Sequence, residues 1–424
     1  MAERDADVIV IGAGPAGIAA ACHASASARV LLLDAAPHAG GQIWRHRDPS
    51  DLPSTARRWL ARFAASPATF LPESTVTDVK PGLVAITQGG RGRLLRTGAI
   101  ILATGARERY LPFPGWTLPG VLGVGGLQAL IKGGADVRGF RIAVAGSGPL
   151  LLPVAATAAR AGASVVLIAE QASRARVRRF AAGLWQSPGK LRDAARYRLA
   201  TRRTPYLTDA WVARVIQDAG ALRVEIRTAA GTRTVAADLV ATGYGLVPST
   251  ELAELAGCRT DGGAAVVNAC QETSVSGVFA AGEVTGIGGA DAAILEGTVA
   301  GITAARGSRT ASAVIAARDR ARKFSRSLEE TFALRDDLRL LPDADTIICR
   351  CEDVTLGSIE AGDSLRHAKL MTRAGMGSCQ GRICGAAITF LRGPSGDTRR
   401  PPAFPVTVQV LRDQCRAVPS MKGS

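Results

Sequence analysis

The chain has 424 residues, a formal net charge of +16 from 52 Lys and Arg against 36 Asp and Glu, 47% hydrophobic residues and 48 glycines, the profile of a multi-domain globular α/β protein rich in tight turns. No apolar run approaches the roughly 18 residues of a membrane span, and the acidic start of the chain lacks signal-peptide character, so a cytoplasmic protein is expected that meets a membrane only through a complex. Aromatic residues make up only 4%, few for a nucleic-acid surface, which favours an acidic protein over nucleic acid as the partner for the positive charge.

The first predicted element is the apolar run Asp7 to Ile11, which ends in Gly12-Ala13-Gly14-Pro15-Ala16-Gly17 and passes into an alanine-rich helical pattern reaching Ala24. The G-x-G-x-x-G spacing has a physical logic. Gly12 permits the tight turn out of the strand, and Gly14 lets the backbone approach a pyrophosphate. Gly17 lets the helix pack closely on the sheet while its N-terminal N–H groups and dipole face the phosphates. A second strand, Arg29 to Leu33, ends in Asp34, where a carboxylate meets a ribose hydroxyl.

Gly40-Gly41-Gln42 then forms a loop rich enough in glycine to pass close to a cofactor. Trp59 to Phe70 reads as helix, Thr75 to Val79 and Gly82 to Ile86 as short strands, and Ala99 to Leu102 as an apolar strand stopping at Ala103-Thr104-Gly105. These motifs together resemble the two-dinucleotide flavoprotein oxidoreductases of the glutathione-reductase and thioredoxin-reductase type. The resemblance implies FAD held by Gly12, Gly14, Pro15, Ala16, Gly17, Asp34, Gly41, Gln42, Thr104 and Gly105. It also demands a second nucleotide fold interrupting the first.

Arg141 to Ala145 supplies that second strand, followed by Gly146-Ser147-Gly148-Pro149-Leu150-Leu151, and Val165 to Ala169 ends in the acid Glu170. Gly146, Gly148 and Glu170 are therefore the candidate contacts of an NAD(P)-like nucleotide. Leu151 stands where a third small residue is usual, so NAD(P), another nucleotide and a vestigial site all stay open. From Arg174 to Arg203 ten Arg or Lys face one acid, Asp193, which reads as a solvated helical face or a docking surface. Strands at Ala221 to Arg227 and Thr232 to Ala236 lead to Ala241-Thr242-Gly243, the return crossing. In Gly282-Glu283 the resembling flavoproteins carry Gly-Asp, with the acid on the ribityl and phosphate region. Glu283 is expected to keep that contact with a shifted side chain. Gly289-Ala290 opens a helix whose N–H groups are expected to face the flavin. No Cys pair lies between Cys22 and Cys258, so the reactive disulfide of these reductases is missing. None of His23, His38, His46 and His367 stands at a motif with an acid–base role, so no catalytic residue is assigned.

After a charged helical pattern over 311 to 340, the chain carries Cys349-Arg350-Cys351-Glu352-Asp353-Val354 and Thr372-Arg373-Ala374-Gly375-Met376-Gly377-Ser378-Cys379-Gln380-Gly381-Arg382-Ile383-Cys384. Four thiolates in two pairs suit zinc or a [2Fe–2S] cluster; Cys-x-Cys is awkward for one tetrahedral ion, and the cluster at Cys349, Cys351, Cys379 and Cys384 is favoured. These motifs, with Gly115-Trp116-Thr117-Leu118-Pro119-Gly120-Val121, resemble the α subunits of bacterial multi-subunit FAD-dependent amino- and imino-acid dehydrogenases, the group of opine oxidase, D-hydroxyproline dehydrogenase and hydrogen cyanide synthase. Their cluster module resembles bacterioferritin-associated ferredoxin. The resemblance implies a β subunit similar to D-amino-acid and glycine oxidases that oxidises the substrate, room for a small γ ferredoxin-like subunit, and an FMN shared with a partner. The expected fold is α/β: two Rossmann-like dinucleotide-binding domains of glutathione-reductase type and a small α-rich iron–sulfur domain. The expected boundaries are 1–120 with 241–310 for FAD, 121–240 for the second nucleotide fold, 311–343 for a helical linker, 344–395 for the cluster and 396–424 for a tail. The expected function is electron relay within a dehydrogenase complex. A stand-alone NAD(P)H-dependent ferredoxin or dye reductase and a non-catalytic nucleotide-binding scaffold remain as alternatives.

Overall fold

The computed structural model describes residues 4–45, 52–218, 220–306, 312–360, 365–393 and 399–417. They gather into two compact units, one from the described parts of 1–107, 247–325 and 398–424, the other from those of 108–246 and 326–397.

The first unit is built on a seven-stranded sheet. Thr69–Leu71, Val30–Leu33, Ala6–Ile11 and the end of Arg91–Leu102 lie side by side in parallel, with Val278–Ala280 beyond them. Strands buried on both faces need continuous rather than alternating apolar sequence, and Ile9, Val10, Ile100 and Ile101 are all wholly buried. Arg91–Leu102 turns a corner within the sheet: Arg91 to Arg96 pairs antiparallel with Leu83–Gln88, while Thr97 to Leu102 runs parallel to Ala6–Ile11. The helices Pro15–Ala24 and Gly289–Arg306 pack through small residues. A Cβ on Gly297 would strike the carbonyl of Ala16, and one on Gly301 that of Ala20. The helix Val408–Ala417, expected as plain tail, lies on the hairpin of this unit, where Gln414 Nε2 donates to Thr77 Oγ1 at 3.0 Å and to the Ile86 carbonyl at 3.1 Å.

The second unit repeats the arrangement. A parallel sheet runs in the order Tyr206–Thr208, Ser164–Glu170, Arg141–Gly146, Leu239–Gly243, Val121–Gly123, the order of half a doubly wound nucleotide fold. A three-stranded antiparallel sheet packs beside it, and its strand Trp211–Asp218 was not expected from sequence. The small cysteine module belongs to this unit. Trp116 Nε1 donates to the Ile347 carbonyl at 2.6 Å, and the Arg350 guanidinium lies 5.3 Å from the Trp116 ring centre.

Two expected helices end early. The pattern from Trp59 to Phe70 is instead the helix Ser54–Ala64 followed by the strand Thr69–Leu71, because Ser66 precedes Pro67 and a residue before proline is driven out of the helical region. The pattern over 311 to 340 gives a helix over Ser312–Thr331, then an extended segment and the short turn Asp336–Leu340; residue 311 lies outside the described residues. There the side chain of Phe332 leaves the helix to pack edge-on against Phe180, with ring centres 5.3 Å apart.

Candidate functional site

The first glycine-rich turn is built as its spacing demands. Gly12 has φ +103° and a Cβ there would strike the Ala103 carbonyl, while one on Gly17 would strike that of Gly12. Both glycines are therefore needed by the fold itself. Gly14 differs: its Cβ position meets nothing within 4 Å, so the space above it is open at the helix N-terminus, where first-turn N–H groups have no partner within the helix. Gly41 closes the other side, at φ +59° with its Cβ position 2.9 Å from the Gly14 Cα, and the Gly40 N–H donates to the Ala13 carbonyl at 2.7 Å. Gln42 is exposed beside it. Asp34 accepts the Ala13 N–H at 2.6 Å on one oxygen and the Ala36 N–H at 2.8 Å on the other. Each oxygen keeps a further lone pair for ribose hydroxyls. Thr104 Oγ1 donates to the Ser249 carbonyl at 2.7 Å, leaving Gly105 at φ +68° with open space at its Cβ position. An open, half-exposed cradle of glycines over a helix N-terminus with an acid at the neighbouring strand end fits FAD.

Glu283 is half-buried beside the start of the helix Gly289–Arg306. Its carboxyl accepts a hydrogen bond from the Gly289 backbone, and burial pushes its pKa up. The start of the helix Gly289–Arg306, with Ala290 in its first turn, is thus already met by an acid of the chain. Sequence reading missed Glu296. It is buried and accepts the Gly282 N–H and the Thr285 hydroxyl, both at 2.8 Å, and pairs with Arg322 at 2.7 Å. A glutamate at a helical position among alanines and glycines is the signal that could have found it.

The second glycine-rich turn has the same backbone and a different mouth. Gly146 takes φ +145° against the Gly243 carbonyl, and Leu151 is buried in the core of its helix. Glu170 is wholly buried and spends both oxygens inward, accepting the Gly148 and Ala172 N–H groups at 2.8 Å each. Burial raises its pKa to about 7. Over the turn lies the chain's own segment 332–335: Ser147 Oγ donates to the Phe332 carbonyl at 2.8 Å, and the Cβ position of Gly148 is 3.9 Å from the Phe332 ring.

The cysteines meet in two pairs. Cys349 ends the strand Ile347–Cys349 and Cys384 opens the helix Cys384–Arg392; both are buried and in hydrogen-bond contact. Cys351 and Cys379 form the second, more exposed pair on the facing loops. Burial, then the neighbouring Cys349, pushes the Cys384 thiol far up, whereas the Cys379 backbone N–H lowers that of Cys351. The loops close through backbone glycine: the Gly375 N–H points at Cys349 Sγ at 3.5 Å, and a Cβ on Gly377 would strike that of Cys351. Arg373 clasps Glu352 across them at 2.8 Å. Among the described residues no three or more His, Cys, Asp or Glu side chains converge as on one metal ion. A binuclear cluster asks for two thiolates on each of two irons, and two adjacent pairs fit that donor set better than a single tetrahedral ion.

The profile of the pyridine nucleotide-disulphide oxidoreductases matches residues 6–318. The chain belongs to that family. Membership implies FAD, consistent with the open first turn. The chain is 32% identical to an opine oxidase component of Agrobacterium tumefaciens over 90% of its own length and 84% of the relative's. It is 30% identical to the HcnB component of hydrogen cyanide synthase of Pseudomonas protegens, over 89% of each. The solved L-proline dehydrogenase of P. horikoshii superposes with a TM-score of 0.65 at 20% identity, over 96% of this chain and 79% of that one, a likeness of fold. This oxidoreductase thus groups with proteins that are subunits of larger enzymes. Its described residues include no helix long and apolar enough to cross a membrane. Of its histidines, His23 is half-buried beside Trp59, with a pKa lowered by burial to about 4; His38 and His367 are exposed; His46 lies outside the described residues.

Proposed function

We propose that this chain is the electron-carrying α subunit of a flavin-dependent dehydrogenase complex that oxidises a C–N bond of an amino acid, imino acid or opine, of the D-hydroxyproline, proline or opine type. The observation that carries the reading is one chain holding an open FAD cradle and two adjacent thiol pairs. In this reading residues 1–120 and 241–310 form the FAD domain, 121–240 the second nucleotide fold, and 344–395 the cluster domain.

When bound, flavin exchanges electrons singly or in pairs and an iron–sulfur cluster exchanges them singly. The chain's own residues hold and orient. Gly14, Ala16 and Gly17 offer N–H groups to the pyrophosphate, Asp34 takes the ribose, and Glu296 fixes the Gly282 turn. Cys349, Cys351, Cys379 and Cys384 would hold the cluster as thiolates. The substrate-oxidising partner is a β subunit of the amino-acid-oxidase kind, with an FMN at a shared site and a small γ ferredoxin-like subunit completing the assembly. The ten exposed Arg and Lys side chains over 174–203 favour a partner with an acidic face.

The test is absorption and EPR spectroscopy of the anaerobically purified chain with iron, zinc and sulfide analysis, before and after adding NADH. Flavin bands and a reducible [2Fe–2S] signal indifferent to NADH are expected. Zinc in place of iron would sink the relay, and prompt reduction by NADH would favour a self-sufficient reductase.

A further inference from the structure

The two glycine-rich turns of this chain present a controlled comparison. Gly14 and Gly148 are the same position of the same motif, yet open space lies over one and the Phe332 ring over the other. Gly12 and Gly14 are half-exposed, whereas Gly146, Ser147 and Gly148 are buried. The acids differ likewise: Asp34 remains half-exposed and Glu170 is sealed. What seals the second turn is the segment that follows the helix Ser312–Thr331. Ser147 Oγ and Gln171 Nε2 both reach its carbonyls, Ser147 that of Phe332 at 2.8 Å and Gln171 that of Ala333 at 3.2 Å. Gln171 is itself 1% exposed, and its side-chain oxygen accepts the Arg335 N–H at 3.3 Å. Arg335 then locks the end of the segment. It donates to the Gln171 carbonyl at 3.2 Å, stacks 4.4 Å from the Trp211 ring centre and faces Asp209 at 3.7 Å.

We infer that the segment Phe332–Arg335 is a built-in occupant of the second dinucleotide site, and that Ser147, Gln171, Phe332 and Arg335 determine specificity by shutting NAD(P)H out. A pyrophosphate needs the free N–H face of a glycine turn and a ribose needs the acid beside it. Here the face carries a phenyl ring, and the acid, bonded to the backbone as Asp34 is, lies wholly buried beneath it. The inference deepens the relay reading and rests on it for its consequence: reducing equivalents reach this chain from a partner and not from a nicotinamide.

The experiment uses the full chain as purified with its cofactors. Isothermal titration with NADH and with NADPH should give no binding at 1 mM for the natural chain. The double substitution Phe332→Ala with Arg335→Ala, checked for unchanged circular dichroism and flavin content, should bind one of them with a gain of tenfold or more. Hydrogen–deuterium exchange on the natural chain covers the case of a variant that does not fold. Peptides spanning 145–151 and 330–337 should be protected and unmoved by either nucleotide. Micromolar binding to the natural chain, exchange at 330–337 raised by NADH, or a folded double variant still blind to both nucleotides would each overturn the inference. NADH that binds without reducing the flavin would remove the occupant and leave the relay standing. NADH that reduces the flavin would remove both.

Discussion

At the scale of single residues, the three glycines of the first turn make separable demands. Gly17 has no room for a methyl group, so Gly17→Ala should cost both stability and flavin, by a few kcal/mol as for other overpacked core sites. Gly14 has an ordinary negative φ of −77° and empty space at its Cβ position. Gly14→Ala should therefore leave the apoprotein's melting temperature unchanged while reducing flavin retention after desalting, because only the ligand would meet the methyl. Equal losses in both variants would mean that the cradle is structural alone. Glu170 carries a pH signature. Its folded pKa of about 7 lies above its ordinary value of 4.5 because of burial, so the folded state binds the proton more tightly than the unfolded state. The stability this provides is full below pH 4.5 and drains away as pH rises to about 7, on the order of 3 kcal/mol across that window. Glu170→Gln should lose that slope, with the gap in melting temperature between natural chain and variant wider at pH 5 than at pH 8. Parallel curves would show that the carboxyl does not titrate there. The sequence placed Gly12, Gly14, Gly17 and Asp34 around one turn because that backbone geometry follows from spacing. It did not predict that Glu170 would be spent inward, since that depends on what covers it.

At the scale of elements, the arginine-rich helices Arg174–Gly183 and Pro188–Ala200 bury none of their side chains. They and the turn between them carry exposed Trp185, Leu191 and Leu199 among the charges, with the large side chain of Trp185 at 70% exposure. Helices that bury so little owe the core little, and substitutions there should stay within about 0.5 kcal/mol of the natural stability. Replacing Arg192, Arg196 and Arg198 by Glu is expected to leave melting unchanged and to weaken co-purification of the proposed β subunit at low salt, with the difference fading at 1 M salt, where screening acts within about 3 Å. Co-purification unaffected by charge would place the interface elsewhere. The helix pairing of Pro15–Ala24 with Gly289–Arg306 works in the opposite sense. Its small-residue seam at Ala16, Ala20, Gly297 and Gly301 was hidden in sequence, because alanine and glycine in a helix do not announce which neighbour they touch.

At the scale of the whole molecule, the thiol pairs give the plainest chemical prediction. Cys384→Ser and Cys351→Ser each remove one ligand from a different pair and should both abolish iron and acid-labile sulfide, while leaving the flavin spectrum in place. Loss of iron in neither variant would remove the cluster and with it the one-electron exit. The module is also the place where sequence and structure divide the credit most evenly. Cys-x-Cys and Cys-x-x-x-x-Cys were legible as two pairs. That Cys349 meets Cys384, and Cys351 meets Cys379, was not, because the partners are set by the turns at Gly375 and Gly377 and by the strand Ile347–Cys349.

The sequence by itself determined the two nucleotide folds, their order, the first cradle and the clustered cysteines. All of these rest on local rules, where a glycine, an acid or a thiol at fixed spacing has one backbone conformation or one chemistry to serve. Tertiary structure alone decided that Glu283 turns back to cap a helix, that the tail helix covers the first unit's hairpin, and that Phe332 closes the second turn. Each joins groups distant in sequence or competing for the same partner, and such a contest is settled by burial and shape rather than by spacing.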